Sequence, residues 1–217
     1  MRLQIKVYSD YICPYCYLAE VPLQQAIAGK DIEIERLPFE LRPAPQVTLR
    51  PEEDYLQKTW LLSVYPAARR LGVPIVLPRI SPQPHTELAF EGFQFAKRHG
   101  KGNEYHLRVL NAFFQEEQDI GKPNVLCRLA GEIGLDEKGF RQALDSRQFR
   151  EIHQAELRHA RLSLGISSVP TFLVGSQKLV GWQAKVALER AIERALGRQK
   201  ETTPLAPPPR LHSEPTA

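Results

Sequence analysis

The chain is 217 residues long, with 42% hydrophobic and 25% charged residues and a net charge of +4. That is the balance of an ordinary globular protein, long enough to bury a sizeable core without disulfide staples. It argues against a transmembrane helix, since no segment approaches the roughly 18 apolar residues that span a bilayer. It gives no support to nucleic-acid binding either, because the basic residues are scattered and no basic run is interleaved with aromatics.

Residues 2–9 read as a buried strand, with Ile5 and Val7 on one face. The chain enters this charged strand directly and shows no apolar signal core, so a cytoplasmic location is expected. Cys13-Pro14-Tyr15-Cys16 follows and holds two of the three cysteines. Leu18, Val21, Leu23, Ala26 and Ile27 make a helical stripe that Gly29 ends, with a kink expected at Pro22. Asp31 to Leu37 alternates as a second strand. The start is therefore a β-α-β unit with the cysteine pair at its first strand-to-helix junction. Reactive groups in α/β sheets gather beyond the carboxyl ends of strands, which is that position.

From 40 to 51 the chain is proline-rich and reads as an extended connector. Helices are expected at 52–71, 84–98, 103–118, 123–133, 136–144 and 147–164, with a loop at Val73–Pro84. Strand character returns at Thr171-Phe172-Leu173-Val174. Gly175-Ser176 turns the chain, and Lys178-Leu179-Val180 completes a hairpin before a last helix at 184–196. Residues 198–217 carry Pro204, Pro207, Pro208, Pro209 and Pro215 with few apolar residues, and are expected to be disordered. The expected division is a discontinuous α/β domain (1–48 and 160–197), a helical insertion (49–159) and the tail.

In a reducing compartment a Cys-x-x-Cys pair is catalytic or metal-binding rather than a staple. A structural zinc site needs four ligands. This motif supplies two, no second pair exists, and His153 and His159 stand six apart on different sides of a helix. No metal and no organic cofactor are therefore expected. What remains is thiol chemistry. The thiolate is the reactive form of cysteine, and a helix N-terminus stabilises it. No phosphate loop, Gly-x-Ser-x-Gly elbow or His-Glu-x-x-His competes. Cys127, among Leu126, Leu129 and Ala130, reads as a small buried hydrophobe, and Trp60 and Trp182 as packing residues.

Two strings carry a resemblance. Ser9-Asp10-Tyr11-Ile12-Cys13-Pro14-Tyr15-Cys16-Tyr17 resembles the FrnE branch of DsbA-type proteins, with Tyr15 where tryptophan is usual. Gly165-Ile166-Ser167-Ser168-Val169-Pro170-Thr171-Phe172 is similar to the family's second signature, with Ser168 where glycine is common. The strand–Gly–aromatic–Gln ending, Leu179-Val180-Gly181-Trp182-Gln183, also matches. The resemblance implies a thioredoxin-like α/β fold (β-α-β … β-β-α) with a large helical insertion. It implies Cys13 as nucleophile, Cys16 as resolving thiol and a cis Pro170 facing them. Val169 and Thr171 would meet an extended substrate strand, and Pro14 and Tyr15 would tune the thiolate. Asp10 is read either as a tuning or proton-relaying group or as a cap, and Tyr11 either as a substrate rim or as packing.

The function so implied is thiol–disulfide exchange, with disulfide isomerisation included. Its partners would be protein thiols and disulfides, with glutathione or a thioredoxin-type protein as redox partner. Two other readings stand beside it. One is a glutathione-dependent enzyme of the kappa glutathione transferase or 2-hydroxychromene-2-carboxylate isomerase type, which carries serine where Cys13 stands. The other is a non-catalytic peptide-binding module with chaperone-like behaviour.

Overall fold

The computed structural model describes residues 2–201, with side chains to residue 197. Strand β1 (Leu3–Ser9) is followed by helix α1 (Pro14–Ile27) and strand β2 (Ile32–Pro38), which lies parallel to β1 with Ile5 opposite Ile34. The return hairpin, β3 (Thr171–Val174) and β4 (Gln177–Val180), adds antiparallel strands, giving the order β2-β1-β3-β4. Gly175 takes a φ of 57° at the hairpin turn, a conformation that suits glycine. The fold is a DsbA-type thioredoxin fold with the helical block inserted between β2 and β3.

Strand alternation sends Leu3, Ile5 and Val7 to one sheet face. There they meet Leu23 and Ala26 of α1, and Leu188 and Ile192 of the last helix, α9 (Lys185–Glu201). α1 runs through Pro22, which leaves the Leu18 carbonyl without its helical donor. α9 continues past the limit expected for it, to Glu201; the remainder of the expected tail, 202–217, lies outside the described residues.

The insertion folds around its own core. Helices α4 (Glu87–Arg98), α5 (Gly102–Phe114), α6 (Pro123–Glu132) and α7 (Glu137–Asp145) bury Phe90, Phe113, Leu126 and Phe140 together. Asp136 caps α7, its carboxylate accepting from Lys138 N and Gly139 N. Two helices open into a wide turn, each closed by an i to i−5 bond. α2 (Asp54–Thr59) passes through Trp60–Val64 into α3 (Tyr65–Leu71), and α8 (Arg150–Arg158) ends in His159–Ser163. Such turns recur beside functional sites, and here both flank the cysteine pair. The helical core also takes in Tyr11, Ile12, Tyr17 and Leu18 from the first β-α junction. One apolar cluster thus ties the insertion to the end of β1.

Candidate active site

β1 delivers the chain to a short turn, and Cys13 sits at the N-cap of α1 with extended backbone angles (φ −89°, ψ 110°). Its carbonyl accepts from Cys16 N at 3.0 Å and Tyr17 N at 3.3 Å, which starts the helix. Pro14 occupies the first helical position, where its missing N–H costs no bond. Cys13 therefore stands at the positive end of α1.

Both cysteines are buried thiols, Cys13 5% and Cys16 2% exposed, so exposure hardly separates them. Their surroundings differ more. Cys13 Sγ donates to the Val169 carbonyl at 3.6 Å, across 156 residues of chain, and the Val169–Pro170 bond is cis. Cys16 Sγ faces inward and accepts from Asp10 N at 3.4 Å. Burial, with the Cys13 thiol beside it, pushes the Cys16 pKa well up.

Asp10 is 1% exposed. Its Oδ1 accepts from Thr86 Oγ1 at 2.9 Å and its Oδ2 from Leu41 N at 2.7 Å. Burial pushes its pKa up to about 7. Glu40 adds repulsion, while the Leu41 and Thr86 bonds favour the carboxylate. Glu40 is itself buried and is held by His153 Nε2 at 2.7 Å. Arg161 donates to the Glu40 carbonyl at 2.6 Å and lies over the Phe39 ring at 5.1 Å. Sequence reading missed Thr86, Glu40 and His153 as members of this site.

Beside Cys13 opens a cavity of about 210 Å³, walled by Ile12, Pro14, Tyr15, Leu49, Leu56 and Trp60, with Val169 at its edge and Arg42 as its cation. Tyr15 is fixed there by a 2.6 Å bond between its hydroxyl and Ser63 Oγ. Two expectations are corrected. Tyr11 forms no rim: it is fully buried in the helical core, 4.5 Å ring to ring from Phe90, because the turn after β1 points it into the insertion. Thr171 offers no free group to a substrate strand. Its side chain is buried and bonds Ser168 O at 2.7 Å, and its residue pairs with both Tyr8 and Val180. Cys127 is buried on α6, as expected, and Trp60 packs in the core, whereas Trp182 is partly exposed.

Residues 4–193 match the model of the DSBA-like thioredoxin domain. The chain belongs to that family. A relative in Bacillus subtilis, the uncharacterized protein YwbO, is 47% identical over 193 residues, covering 88% of this chain and 96% of its own. Among solved structures, a probable DsbA oxidoreductase from Streptomyces coelicolor superposes with a TM-score of 0.76 at 22% identity, covering 94% of this chain and 93% of its own. A 2-hydroxychromene-2-carboxylate isomerase follows at 0.74 and 20%, covering 93% and 100%. The cytosolic disulfide reductase DsbM from Pseudomonas aeruginosa, solved with GSH, stands at 0.66 and 19%, covering 92% and 98%. At these identities the structural likenesses establish the shared fold of this DsbA-like chain. Among the described residues no helix is long and apolar enough to cross a membrane, and no group of side chains is arranged to hold a metal ion.

Proposed function

We propose that this protein is a cytoplasmic thiol–disulfide oxidoreductase that cycles Cys13 and Cys16 between dithiol and disulfide on protein substrates. The observation that carries this is the asymmetry of the pair. Cys13 lies at the helix N-terminus, at the edge of the apolar cavity. Cys16 lies behind it, kept protonated by burial, against the backbone N–H of Asp10. An attacking thiol must meet the substrate, and a resolving thiol must wait.

In the reducing direction the Cys13 thiolate attacks one sulfur of a substrate disulfide. The Cys13–substrate S–S bond forms, the substrate S–S bond breaks, and the departing sulfur leaves as thiolate. Cys16 then gives its proton to the Asp10 carboxylate, and its thiolate attacks Cys13 Sγ. The Cys13–Cys16 bond forms, the second substrate sulfur leaves as thiolate, and two electrons have passed from the pair to the substrate. The reverse sequence oxidises a dithiol, and arrest at the mixed disulfide permits isomerisation. Glutathione is the proposed small partner that restores the dithiol. Arg42 at the cavity supplies a cation for a carboxylate, and DsbM offers a precedent in the same fold.

The test is equilibration in glutathione redox buffers, read by thiol alkylation and mass. A reversible two-electron conversion of Cys13 and Cys16 is expected. If no intramolecular disulfide forms at any poise and Cys13 carries glutathione instead, the cycle is wrong and a glutathione-dependent transformation replaces it.

A further inference from the structure

Thr86 occupies the N-cap of α4, a place where a threonine oxygen ordinarily accepts from the first-turn amides. Here it accepts from none of them. The Thr86 carbonyl starts the helix through Phe90 N at 3.0 Å, but the hydroxyl turns away and donates to Asp10 Oδ1. Thr86 is 2% exposed, so the bond forms out of reach of water. Among the described residues it is the side-chain donor that Asp10 has, and it comes from the helical insertion, 76 residues away.

The other groups facing Asp10 pull the opposite way or are neutral. Glu40, on the connector after β2, is a second buried carboxyl. Tyr11 and Cys16, on either side of the turn, are buried acids. His153 of α8 and Arg161 of the wide turn after it engage Glu40, not Asp10. The Thr86 hydroxyl and the Leu41 and Ile12 amides therefore favour the Asp10 anion, and of these only the hydroxyl belongs to a side chain that substitution can remove.

We propose that Thr86 is a positioning residue for the redox cycle: it gives up capping its own helix to hold the Asp10 carboxyl in place, and in its charged form, behind Cys16. This rests on the thiol–disulfide reading above. It makes the insertion part of the machinery that takes the proton from the resolving thiol.

The experiment follows decay of the Cys13–glutathione mixed disulfide, formed with oxidised glutathione, against pH in the wild type, Thr86→Val and Thr86→Ser. Titration of the Asp10 carboxyl carbon by NMR runs in parallel. A hydrogen bond to a charged group is worth enough to move a titration by about one pH unit. Thr86→Val is therefore expected to raise both midpoints by about one pH unit and to slow release about tenfold at pH values below the wild-type midpoint. Thr86→Ser, which keeps the hydroxyl, restores both. The proposal is overturned if a folded Thr86→Val protein keeps the wild-type midpoints, if the Asp10 midpoint moves while release does not, or if Thr86→Ser behaves like Thr86→Val. Failure of the underlying cycle looks different, because the wild type itself then releases no glutathione at any pH, and the proposal falls with it.

Discussion

Two buried carboxyls under the same helix have opposite fates. Asp10, before α1, is pushed up to about 7, whereas Glu20, inside α1, is held at about 2. Burial raises both. The difference is the partner. Glu20 meets the Arg36 guanidinium in a bidentate pair at 2.5 and 2.6 Å, with His106 Nε2 3.4 Å away and Arg36 Nε bonded to Asn103 Oδ1 at 3.0 Å. Burial and Arg36 together hold His106 down to about 4, so it stays neutral. Asp10 has a hydroxyl, two backbone amides and a neighbouring carboxyl. A full positive charge overcomes desolvation and neutral donors do not. The Glu20 cluster is thus built to hold its charge, and the Asp10 cluster to exchange a proton near neutrality.

The largest effect is expected from breaking the charge-holding cluster. Arg36→Met keeps volume and leaves Glu20 buried without its cation, which costs about 3–5 kcal/mol by comparison with other broken buried pairs. Urea unfolding at pH 7 measures it. A loss no greater than that of an exposed pair such as Lys58–Asp54 would sink the claim that Glu20 depends on Arg36. The pH midpoint of mixed-disulfide release in the surviving folded protein should be unchanged, because the cluster lies outside the proposed cycle.

Asp10→Asn makes the converse change, and its sign follows from linkage. The folded pKa, about 7, lies above the usual 3.8, so the stability Asp10 contributes is full below pH 3.8 and lost as pH rises through 7. Asparagine has no such loss. The variant should match the wild type near pH 4 and exceed it progressively up to pH 8, by on the order of 4 kcal/mol. It should also release glutathione more slowly from Cys13, having lost the proton acceptor. Denaturation at several pH values, with the release assay at each, checks both. A stability difference that is flat with pH would mean that Asp10 does not titrate in this range.

The β-α-β start, the cysteine motif, the return hairpin and most helical spans were legible because each rests on local periodicity or on helix-start signals such as the Asp136 cap and Pro123 in a first turn. The site around the cysteines was legible only in part. Val169 reaches Cys13, but that Thr171 lies in a strand paired on both edges is set by β4 and by β1, which only the tertiary fold brings beside it. Tyr11 sits in a turn, where neither helical nor strand period says which way a side chain points. The helix expected over 84–98 takes Thr86 into its first turn, whereas α4 begins at Glu87 and Thr86 is its N-cap. Its hydroxyl is diverted by a partner that only the tertiary fold brings near. Glu40 and His153, 113 residues apart, carry no local pattern at all.

Asn103 gives the smallest and most discriminating comparison. It stands to Arg36 as Thr86 stands to Asp10, a neutral side chain bonded to a buried charge and lent by the helical insertion. Asn103→Ala removes one acceptor from Arg36 Nε, which should cost about 1 kcal/mol. Glu20 titrates near 2 and His106 near 4, so nothing in that cluster changes charge between pH 6 and pH 8. The loss on unfolding in urea should therefore be the same at both values. Thr86→Val should instead lose more at pH 8 than at pH 6, because the Asp10 anion it supports is the form that prevails at the higher pH. Equal pH dependence in the two variants would erase the distinction between a cluster that stores charge and one that moves a proton.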